Sequence, residues 1–399
     1  MRVSKLLSIC IILLCTVSCI ERFHPDIKER VDKLVINGSI TDRPGWHYVE
    51  VSRASPYNEP GFIPVEGCVV RVEDENGQGV TYSEYQPGVH RADLNESFLG
   101  VNKAYKLFVY TPDGEEYQSE YDPLLPCPPI DSLYYQIEWR ETENPDVTYP
   151  GIQFYVDVKG KADDSRNFLW KLEETFEYRA PYIIQYIKTD VEVLGTPTPI
   201  LTINPPIDIL SRCYKTNSIA KIHVASTRQL VINEINEYPL NFVGAGPQLK
   251  IKYGLVVKQY SLSDDAFLYW EKMNNMMSET GGLYEKQPER SDGNIYNVND
   301  EEERILGFFY ASQEREKLFI TKNPGFAIQN YYCPIDTLPI DSVSYYSDLP
   351  VGTYMISVAE PNEEGEQIGE PYGTSYRRCF DCRERGGSLE PPLYWLIDE

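Results

Sequence analysis

The chain has 399 residues, with 37 Lys+Arg against 61 Asp+Glu and a formal charge of −24. That length holds two or three ordinary domains, and 42% hydrophobic with 25% charged residues argues against bulk disorder. The acidic balance argues against nucleic acid, whose phosphates need Lys and Arg, and against docking to anionic lipid through a basic patch.

Met1 to Ser18 reads as a secretory signal: a short basic region (Arg2, Lys5), an apolar run from Leu6 to Val17, then small Ser18 before Cys19. The junction Thr16-Val17-Ser18-Cys19 resembles a bacterial lipobox, with Thr where Leu is usual three places before the cysteine. The expectation is a signal peptide over 1–18, lipid on Cys19 and a tether over 19–32. No later stretch of about 18 apolar residues follows, so no other membrane span is expected.

From 33 to 122 the pattern is short strands between turns. Val70 and Val72 alternate with Arg71 and Glu73, and Tyr105, Leu107 and Val109 with Lys106, Phe108 and Tyr110. Turns fall at 42–45, 75–77, 87–88 and 112–114. Tyr (31) outnumbers Phe (14), and 29 Pro with 26 Gly suit such a chain. About seven strands at this spacing predict a β-sandwich of immunoglobulin-like size. Residues 122–131 (DPLLPCPPID) carry four prolines and read as a boundary, with the linker at 123–131.

Over 132–399 the period of two returns at Ile152–Val158, Phe168–Tyr178 and Leu249–Val257, which predicts half-buried antiparallel strands. One helix is predicted from about 264 to 278. Ser263 is its N-cap, Leu262 staples Phe267, and Asp264 and Asp265 suit the positive end of the dipole. Ala266, Trp270, Met273 and Met277 share one face, read as core before binding groove, and Gly281-Gly282 stop the helix. The predicted class is therefore mainly β. It comprises two antiparallel immunoglobulin-like sandwiches, the second with an inserted helix and a disulfide-stapled C-terminal segment.

Six cysteines remain beyond Cys19, an even count that in an exported protein favours disulfides over zinc or redox chemistry. We pair Cys68 with Cys127 and link Cys213 and Cys333 to Cys379 and Cys382, in an order the sequence leaves open. Asp-Ser/Thr-apolar triplets at Ser132, Thr337 and Ser342 resemble an O-glycosylation acceptor motif of exported Bacteroidota proteins; the plain reading is a strand entry initiated by proline. Arg377, Arg378, Arg383 and Arg385 either grip an acidic partner or pair with neighbouring carboxylates, and the second is preferred.

Little else points to chemistry. His24, His47, His90 and His223 lie far apart, and no zinc helix, nucleophile elbow or phosphate loop is present. The acidic runs at 73–76 and 297–303 lack calcium-loop spacing and read as solvated turns. No catalytic residue, metal or cofactor is assigned.

Several segments carry a resemblance: KLVINGSITDRPGWHYVEVSRASPYN (33–58), PVEGCVVRVEDENG (64–77), PDGEEYQSE (112–120), PPIDSLYY (128–135), RCYKTNS (212–218), KYGLVVKQYSLSDDAFLYWEKM (252–273), GNIYNVND (293–300), LGFFYAS (306–312) and the Cys379/Cys382 segment with Trp395. In this order they resemble the outer-membrane lipoprotein family labelled domain of unknown function 4249. The resemblance implies a Bacteroidota lipoprotein that accompanies a TonB-dependent outer-membrane transporter and helps capture or deliver a nutrient. Cys68 and Cys127 look like additions to the family pattern. The expected function is thus a non-catalytic accessory in the outer membrane, facing outward, contacting its partner through exposed tyrosines and the helix-bearing domain. The alternatives are a surface peptidase or glycosidase without a recognisable motif, and an adhesin or assembly protein.

Overall fold

The structure, a computed structural model, describes residues 33–396 apart from 57–58, 145, 194–195, 279–292, 330, 339–348, 359, 362–366 and 369–371. Cys19, His24, Gly281, Gly282 and Ser342 lie outside the described residues.

Nine strands come from the first third of the chain. They are β1 (Leu34–Thr41), β2 (Gly45–Arg53), β3 (Ile63–Pro64), β4 (Val69–Asp74), β5 (Gly79–Gln86), β6 (Val89–Leu94), β7 (Ala104–Tyr110), β8 (Glu116–Ser119) and β9 (Asp122–Pro123). Next come β10 (Ile130–Glu141), β11 (Thr148–Lys159), β12 (Asn167–Arg179), β13 (Ile184–Val193), β14 (Thr196–Ile207), β15 (Arg212–Ser226), β16 (Glu234–Gly244) and β17 (Lys252–Ser261). Helix α1 (Asp264–Ser278) follows. After it lie β18 (Ile295–Asn297), β19 (Phe309–Ser312), β20 (Glu314–Lys322), β21 (Asp336–Leu338), β22 (Tyr354–Ser357), β23 (Glu360–Pro361), β24 (Gln367–Ile368) and β25 (Tyr372–Thr374). The protein is mainly β.

The first sheet runs β18-β8-β7-β4-β5-β6-β2-β1-β19, with β3 on β2 and β9 on β7. It curls into a nearly closed, barrel-like form. The alternation places Val70, Val72, Tyr105, Leu107 and Val109 inside, with Ile36, Ile40, Val49 and Phe309, all at most 0% exposed. Burying a side chain of this size stabilises by about 1.5–3 kcal/mol. The sheet is not built from 33–122 alone: β18 and β19 return from residues 295–312 and join both of its ends. β19 lies parallel to β1, in register Gly38 with Phe309. The return passes close to the sheet, so glycine is required at two positions. A Cβ on Gly307, where φ is +98°, would stand 2.0 Å from the Ile36 carbonyl, and one on Gly293 would stand 1.8 Å from the Gly307 carbonyl. Between β18 and β19 the gap is bridged by a side chain. Asn294 Nδ2 donates to the Phe309 carbonyl at 2.7 Å, and the Phe309 N–H donates to Asn294 Oδ1 at 3.0 Å. The amide thereby copies one rung of a ladder.

Two further sheets, β10-β11-β16 and β15-β12-β17-β20, share the second core, with Phe154, Trp170, Tyr253, Leu255 and Val257 fully buried between them. A smaller sheet runs β14-β13-β22-β25-β21, and β23 pairs with β24. The proline-rich segment 122–131 is packed rather than loose. Leu124 and Cys127 are buried, and its backbone is satisfied from the neighbouring strands. Ser261 Oγ donates to the Leu125 carbonyl, Gln259 Nε2 to the Pro128 carbonyl, and the Cys127 N–H to Gln313 Oε1.

Helix α1 occupies the predicted residues. Ser263 caps it by accepting from the Ala266 N–H at 3.2 Å, and donates its hydroxyl to buried Asp122 at 2.5 Å. Asp122 also accepts from the Ala311 N–H at 2.7 Å, so one carboxylate joins the barrel-like sheet to the helix start. Leu262, Ala266 and Phe267 enter a cluster with Leu169, Tyr260, Phe308 and Tyr310. Met277, placed by the helical period on the same stripe, is half exposed.

The cysteines divide. Cys213 bonds Cys382 and Cys333 bonds Cys379, which supplies the order the sequence leaves open. The expected Cys68–Cys127 bridge is a correction: both are free and buried. They belong to different environments. Cys68 sits in the barrel core with Sγ toward the Val65 carbonyl, whereas Cys127 sits against Gln259 at the seam. Burial pushes the Cys68 thiol up to about 11 and the Cys127 thiol up to about 12, so neither is a reactive thiolate at neutral pH.

Candidate functional site: a lysine-lined cleft and an aromatic face

The outer surface of the β15-β12-β17-β20 sheet is covered at one end by α1. Toward the other end lies the C-terminal segment, where Trp395 packs on Gly254 and Tyr394 Oη meets Thr175 Oγ1 at 2.6 Å. Between the covers lies a cleft of about 360 Å³. Its floor is β12 and β17, and its rim includes Trp270 of α1. A bulge opens it. Trp170 pairs with His223 and Leu172 with Ile219, so β15 spends two extra residues over this stretch, and Ala220, Lys221 and Ile222 form that wall.

Among the described residues three lysines line this cleft, Lys171, Lys221 and Lys258, with Glu173 as the single acidic lining residue. Strand periodicity puts Lys171 on the outward face, opposite Lys258 of β17 in register. Lys171 Nζ donates to Tyr310 Oη at 3.0 Å and lies 5.3–5.8 Å from the ring centres of Tyr260, Tyr310 and Trp270. The Tyr310 oxygen beside it raises the ammonium above its ordinary value, against an opposing effect of burial. It therefore stays charged at neutral pH. Among the described residues none of the three lysines forms an ion pair within 4 Å. The Trp270 Nε1–H is buried without an acceptor among the described residues.

A second surface lies on the barrel-like sheet. Trp46 and Tyr48 of β2, Tyr85 of β5 and Arg91 of β6 point outward; Trp46 is 52%, Tyr48 44% and Tyr85 50% exposed. The Arg91 guanidinium is 4.1 Å from the Trp46 ring centre and 3.7 Å from that of Tyr85, so it stacks on both rings.

The residues singled out from sequence are dispersed. Arg377 pairs with Glu384 at 3.2 Å, and Arg383 grips buried Asp381 with Nε and Nη2, which holds that carboxyl below its usual range. Arg378 and Arg385 lie over the Tyr376 and Tyr331 rings. Ser132 is half-buried on β10 and Thr337 is exposed on β21. His47 donates from Nδ1 to the Gly45 carbonyl and accepts from Thr41 Oγ1 at Nε2. His90 donates from Nε2 to the Cys68 carbonyl, and the His223 Nε2 has no partner among the described residues. Burial lowers all three, His223 to about 4, and among the described residues none hydrogen-bonds a carboxylate. The acidic runs are held by backbone: Asp74 Oδ1 accepts from the Asn76 and Gln78 N–H groups, and Asp300 Oδ1 from that of Glu302. Among the described residues no His, Cys, Asp or Glu cluster is arranged to hold a metal ion, and no helix is long and apolar enough to cross a membrane.

The lysine trio was missed from sequence. Lys171 interrupts the apolar run from Phe168 to Leu172, a visible signal, but its juxtaposition with Lys221 and Lys258 depends on register across strands far apart in the chain.

The fold thus defines a β-rich protein with a barrel-like sheet, a second two-sheet core and an open cleft. The chain belongs to the family described as Domain of unknown function (DUF4249), whose profile matches residues 20–318. No curated protein matches it. Among solved structures, trypsin-activated alpha-2-macroglobulin from Escherichia coli is similar over 58% of this chain at 11% identity and a TM-score of 0.18. The chain spans 14% of that protein's length.

Proposed function

We propose that this protein is a non-catalytic, lipid-anchored accessory of the outer membrane that docks a TonB-dependent transporter and helps capture or deliver its nutrient. The observation that carries the reading is the open aromatic face of Trp46, Tyr48, Arg91 and Tyr85. Large rings and a guanidinium held rigid on paired strands are what a protein interface uses as anchors, since they bring much contact area at small cost in side-chain entropy. Isolated, mobile aromatics would not serve so well. The lipobox-like junction at Cys19 supports attachment to the envelope, and the transporter as partner is what the resemblance in the sequence implies. The barrel-like sheet is then the docking body and the second core the cargo-handling one. Tagged protein recovered from its own outer membrane in mild detergent is expected to bring one TonB-dependent transporter in near-equal amount. Recovery of the protein alone, under conditions that preserve other such complexes, would overturn the reading.

A further inference from the structure

We infer that the cleft between α1 and the C-terminal segment binds a small organic oxyanion, a carboxylate or phosphate ester carried on an apolar or ring body. The lining is unbalanced in a chain that is otherwise strongly acidic: three lysines, one glutamate, and no ion pair to the lysines among the described residues. An ammonium has three donors, and Lys171 spends one on Tyr310. Its remaining hydrogens have no hydrogen-bond acceptor among the described residues. Donors in excess of acceptors are the complement of an oxyanion, and bonds between two ionised partners are about twice as strong as neutral ones.

The chain's overall charge of −24 opposes anion entry, so magnitude decides. At 0.15 M salt the screening length is about 8 Å, which mutes distant carboxylates; Glu314, which acts on Lys171 and Tyr260 from outside the lining, is the near negative charge that the three lysines outweigh. The apolar part of the ligand follows from the rest of the lining. Leu169, Ile219, Ile222, Tyr260 and Trp270 give the cleft a wall on which a ring or short aliphatic body rests. A volume of about 360 Å³ is at the lower end for small-molecule sites and fits a single small molecule. The inference does not depend on the transporter reading: the cleft and the aromatic face are separate, and either can fail alone.

The test titrates the full mature chain with phenyl phosphate as probe, and with phenol as its neutral counterpart, followed by calorimetry. Saturable phenyl phosphate binding is expected, at least tenfold tighter than phenol. Lys171→Met is expected to weaken it tenfold or more. Because Lys171 also bonds Tyr310, the exposed rim variant Lys221→Ala guards against a folding defect; it is expected to bind several-fold more weakly with an unchanged melting temperature. Phenyl phosphate binding no tighter than phenol, or binding unaltered in both variants, would overturn the inference.

Discussion

In the barrel-like sheet the last gap, between β18 and β19, is bridged by the amide of Asn294; at the C-terminal segment the chain is fastened by Cys213–Cys382 and Cys333–Cys379. The difference follows from how much core each has. The first sheet surrounds a continuous cluster of fully buried aliphatic and aromatic side chains, so a few polar bonds suffice to fix its closure. The C-terminal segment consists of short strands and turns around a small cluster of Ile184, Cys379 and Phe380. A core of that size contributes little, and covalent links take over by restricting the unfolded chain.

Breaking the staples gives the largest expected effect. Cys213→Ser with Cys382→Ser removes a link across a sequence separation of 169 residues and is expected to cost roughly 2–5 kcal/mol. Limited proteolysis should then release the C-terminal segment while the barrel-like sheet stays resistant; equal resistance throughout would break the comparison. Next comes the seam. Burial raises the Asp122 carboxyl to about 6, above its ordinary 3.8. The folded protein therefore holds this proton at pH values where the unfolded chain has lost it. The stability it contributes is full below about pH 4 and is lost as pH rises through 6, a change on the order of 3 kcal/mol. Denaturant midpoints measured between pH 4 and 7 should show this fall, and Asp122→Asn should remove it. Asn294→Ala leaves the Phe309 backbone groups without their partner and is expected to cost about 1–3 kcal/mol in chemical denaturation. The smallest effect concerns the free thiols. Iodoacetamide at pH 8 is expected to leave Cys68 and Cys127 unmodified in the folded protein and to label both in denaturant.

What the sequence made legible was local. Helix α1 was readable because Ser263, Asp264 and Asp265 announce its start, and the β7 alternation because a half-buried strand repeats every two residues. The parallel pairing of β1 with β19 leaves no such trace, since β19 is four residues long and uniformly buried. The proline-rich segment reads as a linker because proline ends strands, yet Gln259, Ser261 and Gln313 satisfy its backbone and bury it. Even spacing cannot tell which cysteines meet: six allow many pairings, and only the fold brings Cys213 to Cys382 while keeping Cys68 from Cys127. The cleft was hidden for the same reason. Trp270 was visible as part of a core stripe, but its place above Lys171 requires the helix to cross β12.

The division of labour between the two surfaces is tested most directly by partner recovery from the native outer membrane with two variants side by side. Trp46→Ala with Tyr85→Ala strips the aromatic face, and Lys221→Ala alters only the cleft rim. The account expects the TonB-dependent transporter to be lost from the first and retained at wild-type level with the second. Full recovery with the first variant would contradict docking through that face.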